Sequence, residues 1–178
     1  MYIILSILLV LAAALIFFTW PAPTPHRAPG REEKSDLEAA RSDPIAAVRE
    51  QIEYKHPATY FVLAERLLAM GEKDEAVFWF YVGLIRYRSY LVVPQCEGEG
   101  ARFLDLWEKV ERPINDHAFG DVPALAAAIG RALVWDDMHA DPYAPKGTAR
   151  DQVRSSLRRM KAELLTRRDA LRPARAPA

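Results

Sequence analysis

The sequence contains a single cysteine, few glycines and no excess of charge of either sign. Cys96 is the only cysteine among 178 residues, so an internal disulfide is excluded. The 24 basic and 24 acidic residues give a formal net charge of zero, which argues against binding nucleic acid through overall charge. No glycine-rich phosphate loop, zinc-type cysteine spacing or nucleophile-elbow motif occurs. We therefore expect no cofactor, no metal site and no catalytic residues.

Alternation of apolar and polar residues over a useful length is also missing, which excludes a fold built on a sheet. Apolar residues recur at helical spacing instead. We predict an all-α protein that begins with a transmembrane helix over residues 1–20. A proline-rich and charged linker over 21–34 leads to a compact domain of about six helices over 35–172, and residues 173–178 form a disordered tail.

The N-terminal segment is the strongest signal in the sequence. Tyr2–Trp20, "YIILSILLVLAAALIFFTW", is 19 residues long and carries no charge. A helix needs about 20 such residues to cross a hydrocarbon core of about 30 Å, and aromatic rings at both ends favour the two interfaces. We interpret the segment as a membrane anchor. A cleaved signal peptide is the alternative, and the absence of a basic residue before the apolar run disfavours it.

The charges around this segment bear on its orientation. No Lys or Arg precedes it, while Arg27, Arg31 and Lys34 follow it. The excess of basic residues on the cytoplasmic side of membrane proteins therefore favours a cytoplasmic domain, and a periplasmic domain remains the alternative. We predict a single-pass protein of the bacterial inner membrane.

Capping and breaking residues divide the domain into helices. Asp43 before Pro44 predicts a helix start, with Ile45, Val48 and Ile52 on one face. Further signals are the stops at Gly71 and Pro113, the cap at Asp121, an opening at Thr148 and a third helix that ends near Tyr90.

The last predicted helix is basic and amphipathic. Residues 149–178 carry a net charge of +6 and residues 1–148 a net charge of −6. We expect the apolar stripe of this helix to pack on the domain while its basic residues are solvated. The alternative is a helix that lies on anionic lipid. The stripe consists of Val153, Leu157, Met160 and Leu164.

The second and third helices, over residues 57–90, resemble one tetratricopeptide repeat. A small residue on each helix permits close approach, and large residues interlock beside it. The resemblance implies a helix hairpin that binds protein and catalyses nothing. The matching positions, which are the predicted packing residues of the hairpin, are Tyr60, Leu63, Ala64, Gly71, Ala76, Phe80 and Gly83.

The third helix carries four successive aromatic residues, Phe78 to Tyr81, which sweep most of the way around the helix axis. Either neighbouring helices surround them, or some of them form an exposed patch that binds a partner. We predict a membrane-anchored adaptor that binds another protein of unknown identity, with a homodimer as a further possibility. The predicted partner-binding residues are Trp79, Tyr81, Arg86, Arg88, Trp135, Asp136, Asp137 and His139.

Two other functions remain open. Small bacterial chains of this organisation resemble accessory proteins, some of which are immunity proteins that neutralise a secreted toxin. The second alternative is a small hydrolase or metal-dependent enzyme that uses the polar clusters around His117 and His139, since carboxylates beside an imidazole can bind a metal or exchange protons. Their spacing disfavours this, because Asp136 and His139 share a helix face from which Asp137 points away.

Overall fold

The computed structural model describes residues 31–92, 98–144 and 147–171. The segments that we predicted as an anchor and as a disordered tail, together with Cys96, lie outside these residues. The described part consists of helices without any strand, which confirms the all-α prediction. The helices are α1 (Arg31–Ser42), α2 (Ile45–Arg49), α3 (Ala58–Ala69), α4 (Lys73–Tyr90), α5 (Glu99–Ala118), α6 (Val122–Met138) and α7 (Thr148–Leu171), with a 3₁₀ turn at Ile52–Tyr54.

Several predicted boundaries are confirmed. Gly71 follows α3 with a φ of 82°, the left-handed conformation in which glycine is favoured. Asp121 caps α6, because its Oδ1 accepts a hydrogen bond of 3.0 Å from the Ala124 N–H. Helix α4 ends at Tyr90, as the sequence indicated.

The N-terminal helices differ from the prediction. Helix α1 begins at Arg31, inside the charged segment that we predicted as linker. The single helix expected through Ile52 is interrupted, because α2 ends at Arg49 and Gln51 adopts a left-handed φ of 56°. Val48 and Ile52 are nevertheless both buried, so the apolar positions were identified correctly even though the helix between them is broken.

The prediction that Pro113 ends the fourth helix is wrong. Helix α5 continues through Pro113 to Ala118. Proline removes one backbone hydrogen bond from a helix interior, leaving the carbonyl of Lys109 without its usual donor. Pro113 and Lys109 both lie on the exposed side of α5, where water can hydrogen-bond that carbonyl. The helix therefore tolerates the proline.

Helix α4 lies at the centre of the domain and packs against α3, α5, α6 and α7. The four successive aromatic residues are buried among these neighbouring helices. The Phe80 ring lies 5.7 Å from Phe61 of α3 and 5.0 Å from Trp107 of α5. The Trp79 ring lies 5.5 Å from Trp135 of α6.

The hairpin of α3 and α4 is closely packed at Gly83. A Cβ atom added there would lie 2.8 Å from the Cβ of Tyr60 and 3.2 Å from the Phe61 ring. Tyr60, Leu63, Ala64, Ala76 and Phe80 are all buried, whereas Gly71 is exposed. The glycine thus permits the close helix contact that its position in the sequence suggested. The resemblance to a tetratricopeptide repeat stays a prediction.

Helix α7 packs against α4 and α6. Val153, Leu157 and Leu164 are buried and Met160 is half-buried. The apolar stripe therefore faces the domain, as expected, and the alternative in which this stripe lies on lipid is wrong. No helix within the described ranges is long and apolar enough to cross a membrane.

Candidate functional site

The predicted partner-binding residues are divided between core and surface. Trp79, Tyr81 and Arg86 are buried, so the prediction that α4 turns them outward is wrong. Four helices enclose α4 and leave it no outward face at these positions. Of the other five, Asp136 is buried, Asp137 is exposed, and Arg88, Trp135 and His139 are half-buried. For Arg88, burial lowers the pKa to about 10.

Arg86 and the acidic cluster after Trp135 do lie together, but inside the protein. The Arg86 Nε is 2.8 Å from Asp136 Oδ1, and these residues are 1 % and 0 % exposed. The same guanidinium donates hydrogen bonds of 2.6 Å and 2.9 Å to the backbone carbonyls of Ala140 and His139. Arg86 thereby links the C-terminal part of α4 to the end of α6.

Two arginines of α7 complete this cluster. Arg150 donates from Nε to Asp136 Oδ2 at 3.1 Å, and its Nη2 is 2.8 Å from Oδ1. Arg154 Nη1 contacts Asp136 Oδ2 as well, and both arginines are buried. One carboxylate therefore receives three guanidinium groups from two helices. We refer to Arg86, Asp136, Arg150 and Arg154 as the Asp136 network.

Two further carboxylates balance the charge of the network. The exposed Asp137 pairs with Arg154 at 2.5 Å, and the side chain of Asp141 lies 3.5 Å from Arg86. Burial raises the pKa of Asp141, while the charge of Arg86 opposes this shift. Three cations thus face three carboxylates. Such a balance is what makes buried charges tolerable in a folded protein.

The Asp136 network is suited to holding helices together. Arginine stays protonated at any ordinary pH, so it does not exchange protons with a substrate. The Asp136 oxygens are occupied by guanidinium groups. In addition, no group of three His, Cys, Asp or Glu among the described residues could hold a metal ion. The network fixes α7 against α4 and α6.

Arg150 and Arg154 were not predicted as site residues, although a signal for them was present in the sequence. Both share a helix face with Val153 and Leu157, at spacings of three and four residues. Basic residues within an apolar face, rather than beside it, indicate buried cations that require a buried acidic partner. Treating all basic residues of α7 as solvated concealed this pattern.

A second buried polar cluster surrounds His56, which lies just before α3. The imidazole is enclosed by the rings of Tyr87, Tyr90 and Tyr143, with centroid distances of 5.9, 5.3 and 5.3 Å. Glu99 Oε2 lies 3.9 Å from Nε2, and the Tyr87 hydroxyl donates to the same carboxylate at 2.8 Å. This cluster connects the start of α3 with α4, α5 and the loop before α7.

Burial lowers the pKa of His56 to about 4, so the imidazole is neutral near pH 7. Its approach to Glu99 is consequently not an ion pair at that pH. The Nδ1 atom accepts a hydrogen bond of 3.2 Å from the Ala58 N–H, which fixes the proton on Nε2. His56 therefore acts as a neutral packing group at the start of α3.

The two histidines of the enzyme alternative do not meet. His117 Nε2 lies 2.7 Å from Asp74 Oδ1 at the surface. His139 stacks on Trp135 at 4.1 Å, with Nδ1 2.7 Å from the Trp135 carbonyl oxygen. His117 precedes α6 and His139 follows it, and at about 1.5 Å per residue the helix separates them by about 25 Å. They cannot act on one substrate atom.

An open groove remains between α6 and α7. Its volume is about 380 Å³, and it lies beside Gly130 and Val134 of α6 and Ala162 and Leu165 of α7. Val134 is 57 % exposed, and Met138, one turn further along α6, is 76 % exposed. We refer to this concavity as the α6–α7 groove; Val134 lines it, and Met138 lies one turn further along α6.

The lining of the α6–α7 groove includes two basic side chains. Arg158 and Lys161 of α7 line it, and the Lys161 ammonium crosses Gly130, where an added Cβ would lie 2.7 Å from Nζ. Neither side chain forms an ion pair within the described part of the chain. Asp137 also lines the groove, but its charge is taken up by Arg154. The groove is thus lined by both apolar and basic side chains.

Comparison with models of known protein families, with curated proteins and with solved structures finds no match to this chain.

Proposed function

We propose that the chain is a membrane-anchored accessory protein whose helical domain binds another protein through the α6–α7 groove. The anchor is the uncharged segment Tyr2–Trp20, which lies outside the described residues and whose length suits a bilayer. The proline-rich segment after it acts as a spacer, since proline favours extended chain. The domain then stands clear of the bilayer, where a partner can reach it.

The binding surface in this proposal differs from the one predicted from the sequence. Trp79 and Tyr81 are enclosed by neighbouring helices, so they act by shaping the core. Asp137 is the only one of the eight predicted residues that lines the groove. The proposed binding surface therefore lies on the outer sides of α6 and α7, and not on α4.

One observation carries the proposal, namely the exposure of Val134 and Met138 beside an open concavity. Among the large apolar side chains strongly exposed in the described ranges, these two alone lie one turn apart on a single helix. Isolated exposed apolar residues are ordinary, whereas contiguous ones beside a groove mark an interaction site. Shielding this edge from water would favour association.

The test uses the full-length chain in its native membrane. A photo-crosslinking residue replaces Val134, and a matched variant carries it at Met70, which is exposed at the residue after α3 and does not line the groove. We expect one protein to be crosslinked in proportion to the chain from position 134 and none from position 70. Its identity then separates an adaptor of a membrane complex from an immunity protein.

Two results would contradict the proposal. Equal crosslinking from both positions would show that position 134 has no special contact. An absence of crosslinked protein at position 134, while the chain is folded and membrane-bound, would show that the groove is empty in the cell.

A further inference from the structure

We infer that the occupant of the α6–α7 groove is an amphipathic helix of the partner protein whose apolar stripe is flanked by Asp or Glu. This inference rests on the function proposed above, because it names the chemistry of the partner at that same site. It follows from three features of the groove: its shape, the charges at its edge and the balance of charge on α7.

The shape fits a helix. The groove runs between two neighbouring helices, and its lining includes small and aliphatic side chains, among them Leu133, Ala162 and Leu165. Small residues between two helices let a third helix approach closely, with its apolar stripe in the concavity. A flat lipid surface would touch the edges of the groove without reaching its floor.

The basic residues of the groove indicate which residues should flank the apolar stripe of that helix. Arg158 and Lys161 line the groove, and neither has an anionic partner within the described residues. Arg131, on the neighbouring face of α6, differs because it pairs with Glu75 at 2.7 Å and lies over the Phe78 ring. The two free cations are therefore the ones that carboxylates of a docked helix would meet.

The same charges disfavour a second copy of this chain. A symmetric dimer places the same patch on both subunits, so each Arg158 and Lys161 would face the other subunit's basic helix. Exposed Arg159 and Arg167 of α7 would add to the repulsion. Like charges brought together at an interface oppose association. A separate protein with acidic flanks is the occupant that avoids this repulsion.

The experiment measures binding of two synthetic peptides to the full-length chain in nanodiscs of uncharged lipid. Each peptide is a helix of about five turns with Leu and Ala on one stripe; Glu flanks the stripe in one peptide and Lys in the other. Fluorescence anisotropy gives the two dissociation constants. We expect the Glu peptide to bind about tenfold more tightly, with the difference shrinking as salt is raised.

Variants test whether the groove itself makes the choice. Arg158→Glu with Lys161→Glu should reverse the preference between the peptides, because the edge of the groove becomes acidic. Lys109→Glu with Arg112→Glu is the matched control, since it makes the same change of charge on exposed positions of α5. Val134→Asp should weaken the binding of both peptides about tenfold. The control pair should leave both dissociation constants unchanged.

Several outcomes would overturn the inference. These are equal binding of the two peptides, tighter binding of the Lys peptide, no binding of either, or a reversal by the α5 control pair. Binding to phosphatidylglycerol vesicles that is lost in the Arg158/Lys161 variant, without peptide selectivity, would identify lipid instead. A dimer in solution that Val134→Asp dissociates would identify a second copy. If position 134 still crosslinks to one protein in the membrane while the peptides fail, the proposed function stands and only the helix chemistry falls.

Discussion

Helix α4 and the α6–α7 groove both carry apolar side chains that one helix cannot hide, but only those of α4 are covered. At α4, four helices pack around Phe78 to Tyr81 and bury all four rings. At the groove, α6 has α4 on one side and α7 on another, and Val134 and Met138 stay exposed. The number of neighbouring helices therefore decides which apolar surface is available to a partner. The number of aromatic residues on a helix does not decide this.

The largest expected effect concerns the covered region. Asp136→Ala leaves three buried guanidinium groups without their shared carboxylate, and uncompensated buried charge is strongly destabilising. We expect a loss of about 5 kcal/mol in the free energy of unfolding, measured by urea unfolding with circular dichroism. Asp137→Ala is the neighbouring control at an exposed carboxylate and should cost less than about 1 kcal/mol. Equal losses of unfolding free energy in the two variants would contradict a stabilising role for the Asp136 network.

Replacing one aromatic residue of α4 should have the next largest effect. Trp79→Ala removes a ring that packs on Tyr60 and Trp135, and we expect a loss of about 3 to 4 kcal/mol in the free energy of unfolding. Val134→Ala, at the uncovered groove, should change it by less than about 0.5 kcal/mol. The same urea titration compares the Trp79→Ala and Val134→Ala variants. A Trp79→Ala protein as stable as the original would mean that this ring is not core.

Acidification should destabilise the protein through His56. Its folded-state pKa of about 4 lies below the ordinary value of 6.5, so the unfolded chain binds the proton first as the pH falls. Stability is then lost from about pH 6.5 downward, by about 2 kcal/mol between pH 7 and pH 5. His56→Gln keeps an acceptor for the Ala58 N–H and should flatten this slope. An unchanged slope in that variant would assign the pH dependence to other groups.

A pair of glycine substitutions gives the smallest contrast. Gly83→Ala places a Cβ against the Tyr60 Cβ, which cannot move without separating α3 from α4, and should cost about 1 to 2 kcal/mol. Gly130→Ala meets only the flexible end of Lys161 and gains helix propensity, so we expect no loss. Thermal unfolding of the two variants measures the contrast. A greater loss at position 130 would contradict the packing described for both helices.

Much of the helical framework could be predicted from local signals. The cap at Asp121, the stop at Gly71 and the stripe through Val153 and Leu157 each depend on a few neighbouring residues, and all three agree with the structure. The stop at Pro113 failed because the effect of a proline depends on whether water reaches the freed carbonyl. That exposure is a property of the packed domain and is absent from the local sequence.

The Asp136 network and the α6–α7 groove were harder to predict from the sequence, because each of them is formed between helices. Pairing Arg86 with Asp136 joins residues 50 positions apart, and no periodicity relates them. We predicted Arg86 and Asp136 on one surface of the protein. The two residues do lie close together, but both are buried. The groove arises only when α6 lies beside α7, so Val134 and Met138 looked like ordinary helix residues.

Methionine oxidation offers the most direct test that the α6–α7 groove is occupied. Met138, one turn along α6 from Val134 of the groove, is 76 % exposed, and Met70, which follows α3, is 61 % exposed, so the chain carries both a probe and its control. Their rates of oxidation by peroxide are measured by mass spectrometry, in intact cells and in the purified chain. We predict that Met138 is oxidised several-fold more slowly in cells while Met70 keeps the same rate. Equal protection of the two methionines, or none of either, would contradict a partner in the groove.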